Sequence, residues 1–205
     1  MQQDKLITLA AELQSIAQAG LFYGKDVFDK ERYTRVREIS AEILAMKTEL
    51  PLDTVKNLFC TDYGYQTPKV DTRCAVFKNG KILLVRENND TWSLPGGWCE
   101  FNMSPADNAV KEALEESGRI VEIRSVIAVQ CREKHNLPLY AYGVVKIFYM
   151  CEEKGGEFKD NTETTESAYF SRGELPRLAE EKNTAEQIFM CFDAYAAKNW
   201  QTRFD

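Results

Sequence analysis

Between Leu94 and Gly118 the chain reads LPGGWCEFNMSPADNAVKEALEESG, and this stretch dictates its local structure more tightly than any other. Pro-Gly-Gly makes a turn with two residues lacking side chains, so the backbone can approach a neighbour closely and leave carbonyl oxygens accessible. Ser104-Pro105-Ala106-Asp107 then opens a helix: serine caps it, proline sits in the first turn where no amide is missed, and an acid follows three residues after the cap. Gly118 stands where a left-handed C-terminal cap belongs. At about 100° per residue, Ala106, Val110, Ala113 and Leu114 gather on one side, and Glu112, Glu115 and Glu116 share an edge on the other. The like-charge pair 112 and 116 destabilises an isolated helix by a few tenths of a kcal/mol. A solvated face explains the acids but not the glycine turn before them. Carboxylates next to an accessible carbonyl form a hard oxygen set, suited to Mg²⁺ or Mn²⁺.

The strongest hairpin signal lies just upstream, where VDTRCAVFK and KILLVRE flank Asn79-Gly80, a pair that tolerates the positive φ angles of a type I′ turn. Further strands are predicted at 121–130 and 142–151, and a closing helix over 183–199 with Ile188, Phe189, Phe192 and Tyr195 at helical spacing. Ahead of Pro68 the pattern is helical. Leu6, Leu9, Ala10, Leu13, Ile16 and Ala17 predict a helix over 2–19 stopped by Gly20. A second is predicted over 29–47, capped by Asp29, with Tyr33, Val36, Ile39, Ile43 and Met46 inward, and a short third begins at Pro51. The stretch 60–70, with Gly64 and Pro68, reads as the connection between this helical part and the strands.

Composition narrows the classes. The net charge of -6 is spread along the chain, so neither part offers a basic clamp for nucleic acid, and a polyanionic ligand needs a local basic patch or a bridging metal. No run is long and apolar enough for a membrane span, and the acidic N-terminus does not read as a secretory signal. Six singly scattered cysteines suggest neither a zinc site nor a disulfide framework, and fit reduced thiols in a cytoplasm.

Gly97, Glu112, Ala113, Glu115, Glu116 and Gly118 fall in register with the Nudix box, G-x5-E-x7-R-E-U-x-E-E-x-G-U with U aliphatic, and the segment resembles that of the Nudix hydrolases. Met103 stands where the first Glu is expected, Lys111 replaces Arg, and Arg119 replaces the last aliphatic residue. The resemblance implies a Nudix α/β/α sandwich with a mixed sheet over 67–205, preceded by a small all-helical N-terminal domain over 1–62. That helical part is similar to the extension of a subgroup acting on nucleoside diphosphates linked to a moiety X, including ADP-ribose and CDP-choline pyrophosphatases. The implied reaction is metal-dependent hydrolysis of the diphosphate, giving a nucleoside monophosphate and phosphorylated X. The resemblance assigns the Mg²⁺ or Mn²⁺ ion to Glu112, Glu115, Glu116 and the Gly96 carbonyl, and the proton-accepting role to Glu112, or to Glu163 or Glu166 on a later loop. Lys111 keeps the positive charge of the expected Arg but lacks its fork, so a looser bond to a glutamate is expected.

Trp98 beside the glycines, and the cationic group Arg132, Lys134 and His135, are candidates for substrate contact, each against a packing or surface role. A homodimer with the N-terminal helices in the contact is expected, with a small nucleoside diphosphate derivative as ligand and no membrane partner. Two alternatives stay open: a nucleotide-sugar-binding module without catalysis, and an RNA-directed pyrophosphohydrolase or nuclease. The acidic balance disfavours DNA and leaves RNA open.

Overall fold

The structure, a computed structural model, describes residues 5–159 and 161–205. It divides into two compact units: the chain up to Pro68 with Leu139–Tyr142, and Lys69–Pro138 with Gly143–Asp205.

The first unit is helical, with α1 (Lys5–Tyr23), α2 (Val27–Thr48) and α3 (Leu52–Phe59). The predicted start of the first helix at residue 2 lies outside the described residues. Its predicted stop is corrected: α1 runs through Gly20 and ends beyond it. A Cβ at Gly20 would lie 2.5 Å from ring atoms of Tyr33, so this glycine serves the close packing of α2 on α1. The cap of α2 is Asp26, three residues ahead of the predicted Asp29, and it accepts from the amides of Phe28 and Asp29 at 2.9 and 3.1 Å. The predicted inner faces hold in part: Ala10, Ala17 and Ile43 face inward, while Leu6, Leu9, Ile16, Ile39 and Met46 are exposed. Ala10, Ala41, Leu44, Val55 and Phe59 form the core, and Ser40 donates to the Ala10 carbonyl. Small residues such as Ala10 and Ala41 let α1 and α2 approach closely.

In the second unit β1 (Lys69–Lys78) and β2 (Lys81–Glu87) meet at the expected turn, with Asn79 and Gly80 at φ 52° and 75°. They pair only at Phe77–Ile82 and Lys78–Lys81 and then diverge. Beyond that point β1 runs parallel to β5 (Val144–Gly155), while β2 pairs with β3 (Trp92–Ser93) and β6 (Thr164–Phe170). β4 (Ile120–Cys131) flanks β5 antiparallel and carries β7 (Arg203–Phe204) on its outer edge, giving a mixed sheet. The opening between β1 and β2 is filled by the glycine loop. The Cys74 and Thr72 amides donate to the carbonyls of Pro95 and Gly97 at 2.8 and 2.9 Å, and the Cys99 amide donates to Val70 at 2.8 Å.

Alternation along β1 and β5 builds a core on each face of the sheet. Ala75 and Phe148 pack under α5 (Ala185–Ala196), whereas Cys74, Val76 and Tyr149 pack under α4 (Pro105–Ser117), completing the α/β/α sandwich. Thr184 and Gln187 form a capping box at the start of α5. Each fully buried large apolar side chain in these clusters contributes roughly 1.5–3 kcal/mol.

The Gly20–Tyr33 contact yields a sign reversal. Gly20→Ala should destabilise the protein by about 1–2 kcal/mol through overpacking, yet in a Tyr33→Ala background it should stabilise by up to about 1 kcal/mol through helix propensity. Chemical denaturation of the four proteins checks this; equal effects in both backgrounds would refute the packing role.

Candidate active site

The site is made where the glycine loop meets α4. The Ser104 hydroxyl accepts from the Asp107 amide at 3.1 Å, Pro105 is the first helical residue, and Gly118 closes the helix in the left-handed region at φ 67°. Ala106, Val110 and Ala113 pack on the core as the predicted apolar side, but Leu114 is exposed and Glu116 points inward beside Ala109 and Ala113 with only 4 % of its surface accessible. Gly96 is required by geometry, and Gly97 leaves room for the end of the Glu112 side chain. A Cβ on Gly96, whose φ is 142°, would fall 1.9 Å from the Thr72 carbonyl oxygen, and one on Gly97 would fall 2.9 Å from Glu112 Oε2. With no side chain in the way, the Gly96 amide donates to Glu116 Oε2 at 2.8 Å.

Glu112, Glu116 and Glu163 converge: each offers a carboxylate oxygen, and these atoms all lie within 4.8 Å of one another. Glu163 arrives from the loop before β6, where the Asn161 side chain accepts from its amide at 2.9 Å. Burial raises the Glu116 pKa to about 7, against the opposing influence of Arg73, the Gly96 amide and Lys182, with Glu87 adding to the rise. Glu112 is also raised, first by burial and then by Glu115 and Glu163, with Lys111 opposing. Three converging carboxylates, two of them raised chiefly by burial, form an oxygen-only donor set. Such a set suits a hard divalent cation.

Beneath the loop lies a buried array of charges. The Arg73 guanidinium contacts both Asp71 oxygens, at 3.3 and 2.9 Å, and donates to the Leu94 carbonyl at 3.2 Å. Asp71 also pairs with Lys146. Burial depresses Lys146 to about 8, with Arg73 adding to the effect and Asp71 opposing it. Asp71 itself is lowered because Arg73 and Lys146 together outweigh the effect of burial.

Glu115 lies apart from the converging oxygens, at the solvent edge of α4. Its carboxylate is 2.5 Å from Lys111 Nζ, which also lies 3.3 Å from Glu100 and 3.6 Å from Glu112. The expected looseness of Lys111 is therefore absent. Glu100, three residues before Met103, brings to Lys111 a carboxylate that position 103 lacks. Glu166 pairs with Arg86 across the strands at 3.7 Å. Trp98 is bridged to Asp71 and half exposed, with the Lys69 ammonium 6.0 Å from its ring. Arg132 is buried and gives its guanidinium to the carbonyls of Pro138 and Glu181 at 2.8 and 3.2 Å, a structural use of this cation. His135 bonds to Asp205 at 2.6 Å, and exposed Lys134 acts on the same carboxylate. Glu87, Ser93 and Lys182, which no motif marks, form a further polar group, and the charges of Glu87 and Lys182 act on Glu116.

A glycine loop set between diverging strands, with a capped helix presenting converging carboxylates, is the arrangement of a hydrolase acting on phosphate anhydrides. Residues 67–190 match the NUDIX domain model, residues 4–59 match a model described as the UDP-X-like N-terminal oligomerisation domain, and the chain belongs to the NUDIX family. It is 42% identical over 204 residues, 99% of this chain and 98% of the relative, to a Bacillus subtilis protein named "Putative ADP-ribose pyrophosphatase YjhB". A solved ADP-ribose pyrophosphatase from Streptococcus suis is 49% identical, with a TM-score of 0.64 over 68% of this chain and all of that one. A solved UDP-X diphosphatase is 30% identical, with a TM-score of 0.64 over the full length of both chains. The protein is thus a hydrolase acting on diphosphate bonds. Among the described residues no helix is long and apolar enough to cross a membrane.

Folding the metal-free chain raises the Glu116 pKa from 4.5 to about 7, so between these values the native state holds the extra proton. This group's contribution to stability therefore falls as pH rises through that window. At 1.36 kcal/mol per unit the loss approaches roughly 3 kcal/mol. In chelator, the wild type should lose stability between pH 5 and 8 more steeply than Glu116→Gln. Parallel pH profiles in chemical denaturation would contradict the buried-acid assignment.

Proposed function

We propose that the protein hydrolyses the diphosphate of a nucleoside diphosphate linked to a moiety X, ADP-ribose or a uridine diphosphate conjugate in the first place and CDP-choline as a further candidate. The products are a nucleoside monophosphate and phosphorylated X. The observation that carries the reading is the convergence of Glu112, Glu116 and Glu163 beside the Gly96-Gly97 loop. The names of the similar proteins support the substrate class. Retained, partly buried carboxylates argue against a module that only binds a nucleotide sugar, since binding an anion does not call for them.

Glu112, Glu116 and the Gly96 carbonyl would hold Mg²⁺ or Mn²⁺. The neighbouring Pro95 and Gly97 carbonyls are committed to β1, and the Gly96 amide orients Glu116. When bound, the ion offsets the charge of the diphosphate and acidifies water in the cleft. Glu163, exposed yet within the carboxylate cluster, accepts the proton of the attacking water. Glu166, engaged with Arg86 in the strand ladder, is the weaker candidate for that role. Glu115 fixes Lys111 at the rim and keeps that side of the cleft acidic. Trp98 offers an aromatic face beside the loop, on which a base can stack.

The assembly we favour is a homodimer through the N-terminal helices, in the cytoplasm. What supports it is the row of exposed Leu6, Leu9 and Ile16 on α1 with Val27, Phe28 and Met46 on α2, the family description of this segment, and six free thiols.

Product analysis on ADP-ribose, UDP-sugars, CDP-choline, dinucleotide polyphosphates and short RNA, each with Mg²⁺, Mn²⁺ or chelator, tests the reading. Cleavage of a nucleoside diphosphate conjugate only with metal is expected. Preference for RNA would overturn the substrate class, and binding without cleavage would favour the module. Glu116→Gln should lose kcat/KM by about 10²-fold or more, and Glu163→Gln by a similar factor mainly in kcat. Glu166→Gln should stay within a fewfold. Light scattering should give twice the chain mass, falling to the monomer in Leu9→Glu/Ile16→Glu; a wild-type monomer would refute the assembly.

A further inference from the structure

Two of the three converging acids belong to α4, but Glu163 comes from the connection between β5 and β6. It is exposed, and among the described residues no hydrogen bond or ion pair holds its carboxylate. Its neighbours within 4.8 Å are two further carboxyl groups, which offer no attraction to keep it there. The backbone that carries Glu163 must therefore set its place.

That backbone is moored to the last turn of α4. A helix ends with carbonyls that have no partner within the helix. The Glu116 carbonyl is one of them, and the buried Thr164 hydroxyl donates to it at 2.6 Å. The Ser167 hydroxyl serves the next carbonyl, that of Ser117, at 3.3 Å. Thr164 and Ser167 are an odd number of positions apart, so on a regular strand they would face opposite sides of the sheet. A bulge resolves this. Arg86 pairs with Glu166 and Glu87 with Thr164, which makes Thr165 the extra residue and turns Thr164 to the helix side.

Asn161 ties Glu163 to this mooring. Its side-chain oxygen accepts from the amides of Glu163 and Thr164 at 2.9 and 2.7 Å, and its side-chain nitrogen donates to the Thr164 hydroxyl at 2.9 Å and to the Lys159 carbonyl at 3.3 Å. Both lone pairs and both N–H groups of the amide are thus engaged. A short path of bonds runs from the inner acid to the outer one, through the Glu116 carbonyl, the Thr164 hydroxyl, the Asn161 amide and the Glu163 backbone. The start of the same connection is held as well, where Arg119 donates to the Gly156 carbonyl at 2.7 Å.

Resting on the reading that Glu163 accepts the proton of the attacking water, we propose that Asn161 and Thr164 are positioning residues, a brace that fixes the Glu163 backbone to the last turn of α4 and so keeps its carboxylate within reach of that water. A proton acceptor works only at hydrogen-bond distance. A misplacement of about 1 Å can cost ~10²-fold in rate.

The test measures turnover of the best nucleoside diphosphate conjugate by the full-length chain with Mg²⁺. Asn161→Ala and Thr164→Val should each lower kcat roughly 10–30-fold with KM within about threefold, and Thr164→Ser, which keeps the hydroxyl, should recover most of the rate. Asn161 is exposed, so its variant leaves the core untouched should Thr164→Val misfold. In a Glu163→Gln background the same two substitutions should lower kcat by less than about threefold, because the group they place is already gone. An equal loss in both backgrounds would make them structural residues and overturn the proposal, as would wild-type kcat in a folded Asn161→Ala. Amide hydrogen exchange gives a readout free of turnover: in Asn161→Ala the amides of Glu163 and Thr164 should lose protection by about tenfold or more while those inside α4 keep theirs. Unchanged protection at both amides sinks the brace. If Glu163→Gln cleaves as fast as wild type, or wild type cleaves no conjugate, the functional reading fails, and the exchange data still decide whether Asn161 and Thr164 hold Glu163.

Discussion

One buried guanidinium organises the working half of this protein. Arg73 sits on β1 in the part of the strand that has parted from β2, holds Asp71 with both ends of its fork, and fixes the Leu94 carbonyl at the head of the glycine loop. Its charge also acts on Glu116, the innermost acid of α4. Removing one member of such a buried set leaves an unpaired charge, which typically costs about 3–5 kcal/mol. The set is balanced by sign: Arg73 and Lys146 face Asp71 and Glu116. Strand, loop and helix are held in mutual register by electrostatics that water cannot screen, and the carboxylates are placed as a result.

That balance is incomplete at its outer end. Lys146 is spent on Asp71, and Arg73 is divided among Asp71, Leu94 and the field at Glu116. Lys111 approaches Glu112 at 3.6 Å with its charge already shared by Glu115 and Glu100. Burial holds Glu112 and Glu116 above the usual carboxylate value, and at Glu112 the neighbouring Glu115 and Glu163 add to the rise. On the proposed function, a divalent ion bound there would offset this rise. Lys111 borders the acidic region at the rim, and Lys182 is held by Glu87.

How much of this was legible in the residues depends on the range of the interaction. The Asn79-Gly80 turn, the Ser104 cap with Pro105, and the Gly118 stop are local, decided within four residues, and the structure repeats them. Faces of helices proved harder. Periodicity grouped Leu114 with the apolar residues Ala106, Val110 and Ala113, and Glu116 with Glu112 and Glu115 on the other side. The structure reverses Leu114 and Glu116, because a tertiary partner set, the Gly96 amide and the Arg73 charge, makes an inward glutamate tolerable. Gly20 misled for a related reason: it terminates nothing locally, and its reason lies on another helix, in the Tyr33 ring. Arg132 looked available from its cationic neighbours, yet the carbonyls it serves are 6 and 49 residues distant. The arrival of Glu163 beside Glu112 depends on the register of β6 on β2, which no pattern in the ETTESAYF stretch announces.

The box departures at Met103 and Lys111 become intelligible together once geometry is added. A lysine in place of arginine loses the planar fork, and with it the ability to bind one carboxylate through two parallel bonds. A compact ammonium with three donors can instead divide itself among separate carboxylates, and Lys111 does so with Glu115, Glu100 and Glu112. Glu100 reaches it from a loop whose path is fixed by the Glu100 amide on Asn108 at 3.1 Å and by Asn108 on Thr72 at 3.0 Å. The acid absent at position 103 is thus supplied by the loop three residues earlier, and the change from a fork to a point charge suits partners that come from different directions. The negative charge of the rim is kept while its covalent address moves. The inner pair Glu112 and Glu116 converges with Glu163 without a carboxylate from position 103.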